Sequence, residues 1–399
     1  MKIKFALPIS LLLLSFLIIS LTSAIVTNAI STISHNINYM SRPTGIDVNK
    51  ILVAQSDAIL KSYVHKSSVE EDLQTIRSIP VVNSASISSY IPLSGYGIST
   101  DFRASLDEDA ERLYANFFFV DEEIINTLGL NLLAGRAFQK TDVSIFKPDD
   151  YANYAKKAII TEALAQKLYG TSEVVGNLIY DNYGHPAEVI GIVEKMMGIW
   201  VTWKHAENVV LYPGILDGVT ARYMIRHEST NVNNNELVTQ IETKLQGTSI
   251  DRVVDTVKPM QKLFNRSYSS QKTISVVLSG VAILMLVLTG LSVYGLSELS
   301  FSSRKREIGI KRALGASKAL ITKTLYKELI IFSLLAILSG CILAKLFNSY
   351  FSQTLNLSDL SISSFLYTNL VIFAVLLIGS IKPFFESINA NPISVIKSI

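Results

Sequence analysis

Four long stretches of apolar residues constrain the fold of this chain more than any other feature of its sequence. Residues 5–34 carry no charged side chain, and residues 273–297 form a second uncharged run. A third run covers residues 329–351, interrupted only by Lys345, and a fourth covers residues 365–381. A helix rises about 1.5 Å per residue, so about 20 residues cross the ~30 Å hydrocarbon core of a bilayer. Each run is therefore predicted to be a transmembrane helix.

Basic residues near the ends of these spans predict the side of the membrane on which each loop lies. Residues 1–4, 298–328 and 382–399 together hold twelve Lys or Arg and four Glu, a net charge of +8. The whole chain carries +3, so the remainder carries −5. Short loops rich in Lys and Arg stay in the cytoplasm. Both termini and residues 298–328 are therefore predicted inside, and residues 35–272 and 352–364 outside.

The composition agrees with a membrane anchor that carries a large water-facing domain. The chain is 49% hydrophobic and 17% charged, which is apolar for a soluble protein and polar for one that lies entirely in the membrane. An alternative is that the first span is a cleaved signal peptide, because it has a basic start and small residues such as Ala24 and Ala29. The uncharged run exceeds the 7–15 residues of a signal-peptide core, so we favour a span.

Residues 35–272 are predicted to fold outside the membrane as a mixed α/β unit. Thr161 is expected to cap a helix, Gly135, Gly170 and Gly176 are expected in turns, and the acids of Asp121–Glu123 are interpreted as charges at a helix start. The predicted strands are 51–58, 81–89 and 187–193, and the predicted helices are 121–130, 161–169, 236–245 and 259–272. The last helix is expected to lead into the second span, so that the first two spans project from the bilayer as a stalk.

Motifs for catalysis and for cofactor binding are missing from the sequence. It contains no GxxxxGK[ST] phosphate-binding loop and no HExxH metal motif. The five histidines are scattered, and the single cysteine, Cys341, lies in an apolar run. The negatively charged outer segment has no basic and aromatic patch, which argues against nucleic acid binding. We therefore expect no catalytic residue, no cofactor and no metal ion on this chain.

The segment Arg304–Ser317, RKREIGIKRALGAS, is the most distinctive part of the predicted cytoplasmic loop. It is strongly basic, yet its charges alternate with Ile308, Ile310 and Leu314. A solvated spacer needs no such apolar residues, so the segment is predicted to bind a cytoplasmic partner. The alternative is a basic amphipathic segment that only holds positive charge at the lipid surface.

This segment resembles the signature of FtsX-like ABC transporter permeases, in particular their MacB-type branch. Family-like motifs also occur in residues 120–138 (VDEEIINTLGLNLLAGRAF), 159–194, 291–295 (LSVYG) and 391–396 (NPISVI). The resemblance covers most of residues 40–399. It implies an α/β mixed membrane protein with four transmembrane helices and a large two-lobed α+β periplasmic domain inserted between the first and second.

The resemblance also implies domains, partners and location. A porter-like lobe would combine residues 40–110 with 221–265, and an inserted lobe would comprise residues 111–220. The chain would lie in the bacterial inner membrane with both termini cytoplasmic, as a dimer with a second permease copy. ATP and Mg would bind to a separate cytoplasmic ABC ATPase, and the permease chain itself would be non-catalytic.

Within this resemblance, residues 303–314 are expected to form a coupling helix that docks on the ATPase. Ile310, Ala313 and Leu314 would share one face of it, because they are spaced as i, i+3 and i+4. That face would enter a groove on the partner. The expected coupling residues are Arg304, Arg306, Glu307, Ile308, Ile310, Lys311, Arg312 and Leu314.

The ends and the packing of the helices are also predicted. Arg304, Lys311 and Lys318 would align along a second face if the helix ran unbroken. Gly315 is expected to end the coupling helix, and Ser317 is expected to cap the helix that continues into the third span. The small residues expected to pack the second span are Gly280, Gly290 and Gly295.

The sequence and the resemblance leave three functions open. The first is efflux of a peptide, antibiotic or other amphiphile from the periplasm, driven by motion of the first two spans and completed by an adaptor and a TolC-like outer-membrane channel. The second is lipoprotein extraction, as in Lol-type relatives. The third is transmembrane signalling that activates a periplasmic partner, as FtsX does. The size of the outer domain favours efflux.

Overall fold

The structure is a computed structural model in which the chain forms two compact units. The membrane unit combines Met1–Ser41 with Ser270–Ile399, and the outer unit is Arg42–Ser269. The residues that the structure describes are 9–59, 65–147, 156–218, 220–228, 234–248, 252–255, 257–355 and 359–389.

Long helices build the membrane unit, whereas strands and short helices alternate in the outer unit. The helices of the described residues are α1 (Ile9–Met40), α2 (His65–Arg77), α3 (Ile124–Leu128), α4 (Glu162–Tyr169), α5 (Asn234–Thr248), α6 (Met260–Ser267), α7 (Ser269–Ser303), α8 (Lys305–Ala313), α9 (Lys318–Leu355) and α10 (Ile362–Asn389). The strands are β1 (Ile51–Ala58), β2 (Val82–Ile87), β3 (Ser99–Phe102), β4 (Leu113–Val120), β5 (Leu132–Gly135), β6 (Ser144–Phe146), β7 (Lys157–Thr161), β8 (Leu178–Tyr180), β9 (Pro186–Val193), β10 (Val209–Leu216), β11 (Thr220–His227), β12 (Arg252–Val254) and β13 (Lys258–Pro259).

Among the described residues, four helices are long and apolar enough to cross a membrane. Their apolar segments are Leu11–Met40, Ser269–Ser303, Leu329–Tyr350 and Ile362–Glu386. The helices α1, α7, α9 and α10 that contain them run beyond the charge-free stretches that predicted them. The flanking residues include polar helix formers such as Lys and Gln, so the backbone remains helical after the apolar composition ends.

The first span packs against its neighbours through hydroxyl and amide side chains. Small and polar side chains let transmembrane helices approach closely and hydrogen-bond across the interface. The pairs that join α1 to α7 or α9 are Ser20–Ser339 (2.5 Å), Thr22–Thr289 (2.7 Å) and Asn28–Asn348 (3.2 Å). These neutral contacts hold α1 inside the membrane unit.

Glycines mark close helix approaches at one of the three predicted positions and at two others. A Cβ on Gly340 would lie 2.5 Å from a serine of α1, and a Cβ on Gly379 would lie 2.9 Å from the carbonyl oxygen of Gly290. Gly290 is therefore packed. A Cβ on Gly280 or Gly295 meets no described atom within 4 Å, so the packing predicted for these two glycines stays a prediction. Composition alone does not tell which face of a span meets a neighbour.

The first lobe of the outer unit is a five-stranded sheet covered by helices. Its strand order is β12–β1–β11–β2, and β13 also pairs with β1. β1 and β11 are antiparallel, with Ile51 opposite Arg226. Leu73 of α2 and Ile241 of α5 share a buried core with Tyr223 of β11. The lobe is thus assembled from strands that are far apart in sequence.

The second lobe is an eight-stranded mixed sheet. Its strand order is β3–β4–β10–β7–β9–β5, with β6 on β10 and β8 on β9. β10 is parallel to β4 and antiparallel to β7, so the sheet changes direction at its centre. Phe102, Phe119, Phe146 and Tyr212 fill its core beside Leu164 of α4.

The structure corrects the expected boundary between the lobes. β3 pairs with β4 in the second sheet, with Ser99 opposite Asn116, although the resemblance implied a first lobe that extends to about residue 110. The outer unit begins at Arg42, because α1 continues to Met40 instead of ending near residue 34. Sequence composition does not reveal which sheet a short strand joins.

Three local predictions in the outer unit also change. The helix expected at 121–130 is reduced to α3, which Gly129 ends with a φ of 70°. The helix expected at 259–272 breaks at Tyr268, between α6 and α7. Thr161 precedes α4 as predicted, but its hydroxyl donates to the Glu207 carbonyl at 2.7 Å and makes no capping bond. In this last case a contact with the turn before β10 outcompetes the cap.

Candidate functional site

The basic segment between the second and third spans forms a separate short helix, α8. α7 ends at Ser303, and the Arg304 amide donates to the Phe301 carbonyl at 3.1 Å. The Ile308 amide then donates to the Arg304 carbonyl at 2.9 Å, which starts the new helix. α8 therefore occupies Lys305–Ala313, within the range 303–314 that the sequence indicated.

One side chain of α8 fixes this helix to the ends of the long helices. Ile308 is buried in a cluster with Phe301 of α7, Ile321 of α9 and Phe384 of α10. The rings of Tyr326 and Phe384 lie 4.7 Å apart at the edge of this cluster. Each of these three long helices contributes a residue, so a displacement of α8 would strain all three contacts.

Another face of α8 exposes a stripe of charged and apolar side chains. Lys311 Nζ donates to Glu307 Oε1 at 2.6 Å, and this hydrogen bond lowers the pKa of the Glu307 carboxyl. Ile310 is 45% exposed, and Leu314 is 83% exposed. Positions 307, 310, 311 and 314 lie on one helical face because they are three to four residues apart. The stripe is thus an ion pair flanked by two uncovered aliphatic groups.

The end of α8 is defined by backbone hydrogen bonds. Gly315 has a φ of 91°, and the Ala316 amide donates to the Lys311 carbonyl at 2.9 Å. This pattern is the Schellman motif, which favours glycine at the left-handed position. Ser317 Oγ then accepts from the Leu320 amide at 3.3 Å and caps the start of α9. The two residues occupy the positions expected for a helix break and a cap.

The structure does not gather all predicted coupling residues on one surface. Ile308 lies in the buried cluster and is unavailable to a partner. The side chains of Arg306, Arg312 and Ala313 lie outside the described part of the chain. The condition for the alignment of Arg304, Lys311 and Lys318, an unbroken helix, is not met, because the chain leaves the helix at Arg304 and again at Gly315.

The aromatic residues that anchor α8 were missed by the sequence reasoning. No role was predicted for Phe301 or Phe384, which fall in the predicted cytoplasmic segments 298–328 and 382–399. Their rings meet edge to face at 6.4 Å. Only the three-dimensional arrangement brings residues 301, 321 and 384 together. The exposed stripe of α8 offers apolar and charged groups for contact, and the described residues of the site carry no arrangement of groups for a chemical step.

Family models match most of the chain. The MacB-like periplasmic core domain matches residues 9–260, and the FtsX-like permease C-terminal domain matches residues 279–392. The first match includes α1 and the outer unit up to the start of α6, and the second includes α8 and the other three spans. The two matches thus follow one another along the chain, with the first covering α1 and nearly all of the outer unit.

The curated relatives described here are named as export ATP-binding/permease proteins. The macrolide export ATP-binding/permease protein MacB of Campylobacter jejuni subsp. jejuni (strain 81-176) is 24% identical over 81% of this chain and 48% of its own length. MacB of Shewanella sp. (strain W3-18-1) is 21% identical over 58% of this chain and 36% of its own. The probable syringafactin export ATP-binding/permease protein SyfD of Pseudomonas syringae pv. syringae is 26% identical over 52% and 32%. The chain therefore spans about half or less of these relatives.

Solved structures of outer domains are also similar to part of the chain. The periplasmic region of MacB from Actinobacillus actinomycetemcomitans matches 56% of this chain and 95% of its own length, with 14% identity and a TM-score of 0.33. The extracellular domain of the ABC-type transporter YknZ from Gram-positive bacteria matches 51% and 99%, with 16% identity and a TM-score of 0.32. On the family-model matches, which cover more than half of its residues, the chain belongs to the FtsX-like ABC transporter permeases that carry a MacB-like periplasmic core domain.

Proposed function

We propose that this chain is the permease subunit of an ABC-type exporter, and that ATP is hydrolysed on a separate ATPase chain that docks on α8. The observation that carries the proposal is the exposed stripe of α8. Ile310 and Leu314 are uncovered on the face of the Glu307–Lys311 ion pair, while Ile308 holds the helix in place. An apolar contact rimmed by charges suits a groove on a partner protein.

The contacts of α8 support a mechanical role. Ile308 packs on residues of α7, α9 and α10, so a push on α8 is passed to the long helices. α7 is continuous over 35 residues, about 52 Å of helix, and its first residue is the last of the outer unit. In this proposal α7 and α1 transmit ATP-driven motion to the outer unit. No pore through the membrane is needed.

The proposed cargo is a peptide, an antibiotic or another amphiphile that is handled outside the cytoplasm. The support is family membership together with relatives named for export of macrolides and of syringafactin. The proposed assembly contains two permease copies in the bacterial inner membrane, with both termini cytoplasmic. A periplasmic adaptor and a TolC-like outer-membrane channel would complete the export path.

A variant with Glu307→Arg and Leu314→Asp tests the docking surface. The tagged full chain is purified from its native membranes, and the ATPase activity that co-purifies is measured. We expect this activity to fall about tenfold or more, since the variant reverses the charge of the ion pair and places a carboxylate in an apolar contact.

The matched control makes similar changes in the outer unit. Asp255 pairs with Lys258 at 3.1 Å, and Val253 is exposed beside it. Asp255→Arg with Val253→Asp should leave the co-purified ATPase activity unchanged. Retention of that activity in the Glu307→Arg and Leu314→Asp variant would mean that α8 only holds positive charge at the lipid surface, and the proposal would fail.

A further inference from the structure

In the described part of the outer unit, the chain passes from one lobe to the other after β2 and returns after β10, and a small cleft lies between these two crossings. The first crossing follows β2, and the second joins β10 to β11. The cleft has a volume of about 200 Å³. The residues that matter for its chemistry are Ser88, Tyr90 and Tyr96 from the first crossing, Asp217 from the second, and Thr220 and Arg222 from the start of β11. A ligand in this cleft would touch both connections between the lobes.

The cleft contains a guanidinium group that is held in place without an acidic partner. Arg222 Nη1 donates to the Ser89 carbonyl at 2.7 Å, and its Cζ lies 5.6 Å from the ring centroid of Tyr90. Among the described residues, no carboxylate lies within ion-pair distance of Arg222, and Asp217 is exposed at the rim. A guanidinium has five N–H donors in a planar fork that matches a carboxylate. The donors beyond the Ser89 contact are thus positioned for an anion.

Two aromatic rings and a buried hydroxyl complete the cleft. Tyr90 and Tyr96 meet edge to face, with centroids 6.2 Å apart, and Tyr96 is 70% exposed. Burial raises the pKa of the Tyr90 phenol and the nearby Arg222 opposes this change, so the ring is neutral at neutral pH. Ser88 is 3% exposed, and its Oγ has no hydrogen-bond partner among the described residues. A buried hydroxyl of this kind ordinarily has a partner.

We infer that this cleft binds the carboxylate end of a peptide, with the neighbouring apolar or aromatic side chain against Tyr90 and Tyr96. Arg222 pairs with the carboxylate. The volume lies below the roughly 300–1,000 Å³ of cavities that enclose drug-sized ligands. The cleft therefore takes one end group of a longer molecule. Binding here requires no nucleotide, so the inference stands apart from the proposed docking of an ATPase on α8.

The first test compares two probes that differ in one charge. The full chain is reconstituted in lipid nanodiscs without an ATPase and titrated with N-acetyl-L-phenylalanine or with its amide, followed by ligand-observed NMR. We expect the acid to bind about tenfold more tightly than the amide, because a hydrogen bond to a charged group contributes more than one to a neutral group. N-acetylglycine, which has the carboxylate but no ring, should bind more weakly than the phenylalanine acid. Equal binding of acid and amide would overturn the inference. It would also be overturned if inorganic phosphate displaced the bound N-acetyl-L-phenylalanine at lower concentrations than further N-acetyl-L-phenylalanine did.

The second test uses variants of the cleft. Arg222→Gln should weaken binding of the acid about tenfold, whereas Arg112→Gln, at an exposed arginine of the other lobe that pairs with Asp101, should not. Because Arg222 also holds Ser89, a second variant avoids that contact. Tyr96→Ala should weaken binding about threefold, and Tyr183→Ala, at a tyrosine that is 73% exposed, should have no effect. Tyr183→Ala is the control. If Tyr96→Ala also binds the acid as tightly as the natural chain, the inference is wrong.

Discussion

The two units of this protein bury polar side chains of different kinds. In the outer unit the buried groups include charges: Arg252 Nη2 donates to Asp72 at 2.5 Å, in a pair that is almost fully buried. In the described part of the membrane unit, close polar pairs between spans include neutral groups, such as the hydroxyls of Thr22 and Thr289 at 2.7 Å. The ion pairs described in the membrane unit lie within single helices and are exposed.

This difference follows from the solvent that surrounds each unit. A charge is costly in the hydrocarbon core of a bilayer, whereas hydroxyl and amide groups can hydrogen-bond between spans at modest cost. In the outer unit, the Asp72 carboxylate accepts further hydrogen bonds from Tyr223 at 2.6 Å and Thr248 at 3.1 Å. Such bonds offset the desolvation of a buried ion pair. Removal of one partner should therefore have a large effect in the outer unit and a small one in the membrane unit.

Arg252→Met should have the largest effect on stability. The substitution leaves Asp72 buried without its cation, which costs about 3–5 kcal/mol. The free energy of local opening, measured by hydrogen–deuterium exchange in α2 and β1 of the full chain, should fall by this amount.

Two further variants control for other causes. Lys258→Met breaks the exposed pair with Asp255 and should cost less than about 1 kcal/mol. Asp72→Leu combined with Arg252→Met should be more stable than Arg252→Met alone, because no unpaired charge remains. If the combined variant is the less stable of the two, then the loss does not come from an uncompensated charge.

Asp121 extends the comparison, because it is a buried carboxyl in the outer unit whose one nearby cation, Arg77, lies at 3.5 Å. Burial raises its pKa to about 7, despite the hydrogen bond from Ser86 at 2.5 Å and Arg77 at 3.5 Å. The unfolded carboxyl has a pKa of about 3.9. Its contribution to stability is therefore fully present below pH ~4 and is lost as the pH rises through about 7.

Between these two pH values, the Asp121 carboxyl should lower the free energy of unfolding by about 1.4 kcal/mol for each pH unit. Asp121→Asn should remove that slope, as measured by hydrogen–deuterium exchange in β2 and β4 between pH 5 and 7, with intrinsic exchange rates corrected for pH. Asp101→Asn, at a partly exposed acid, should keep the slope of the natural chain. A slope that persists in Asp121→Asn would assign the pH dependence to another group.

Asp121 also illustrates what the sequence does not reveal. Strand β1 was predicted with the observed bounds of 51–58, and Gly170 was predicted in the turn where it adopts a φ of 71°. Both follow from residues close in sequence. Asp121, by contrast, was interpreted as a charge at a helix start, and its burial depends on Ser86, which lies 35 residues earlier.

The same distinction holds at α8. The break at Gly315 and the cap at Ser317 are local, and the sequence indicated both positions. The burial of Ile308 depends on Phe384, more than 70 residues away along the chain, so helical spacing gave no sign of it. Local backbone preferences could be predicted here, whereas contacts between distant elements could not.

Asn28→Leu should have the smallest effect of the three stability variants. Asn28 Nδ2 donates to the Ala344 carbonyl at 3.3 Å, and its Oδ1 accepts from Asn348 at 3.2 Å. Hydrogen bonds between transmembrane helices contribute about 0.6 kcal/mol on average, because the separated helices find other partners in the membrane. The free energy of unfolding is measured by titrating the reconstituted chain with SDS. The natural chain, Asn28→Leu, Asn348→Leu and the double variant form a double-mutant cycle, which gives the coupling energy of the pair. A coupling near that of a buried ion pair, about 3 kcal/mol or more, would contradict the comparison. Neutral polar pairs in lipid would then be as costly to break as charged pairs in the outer unit.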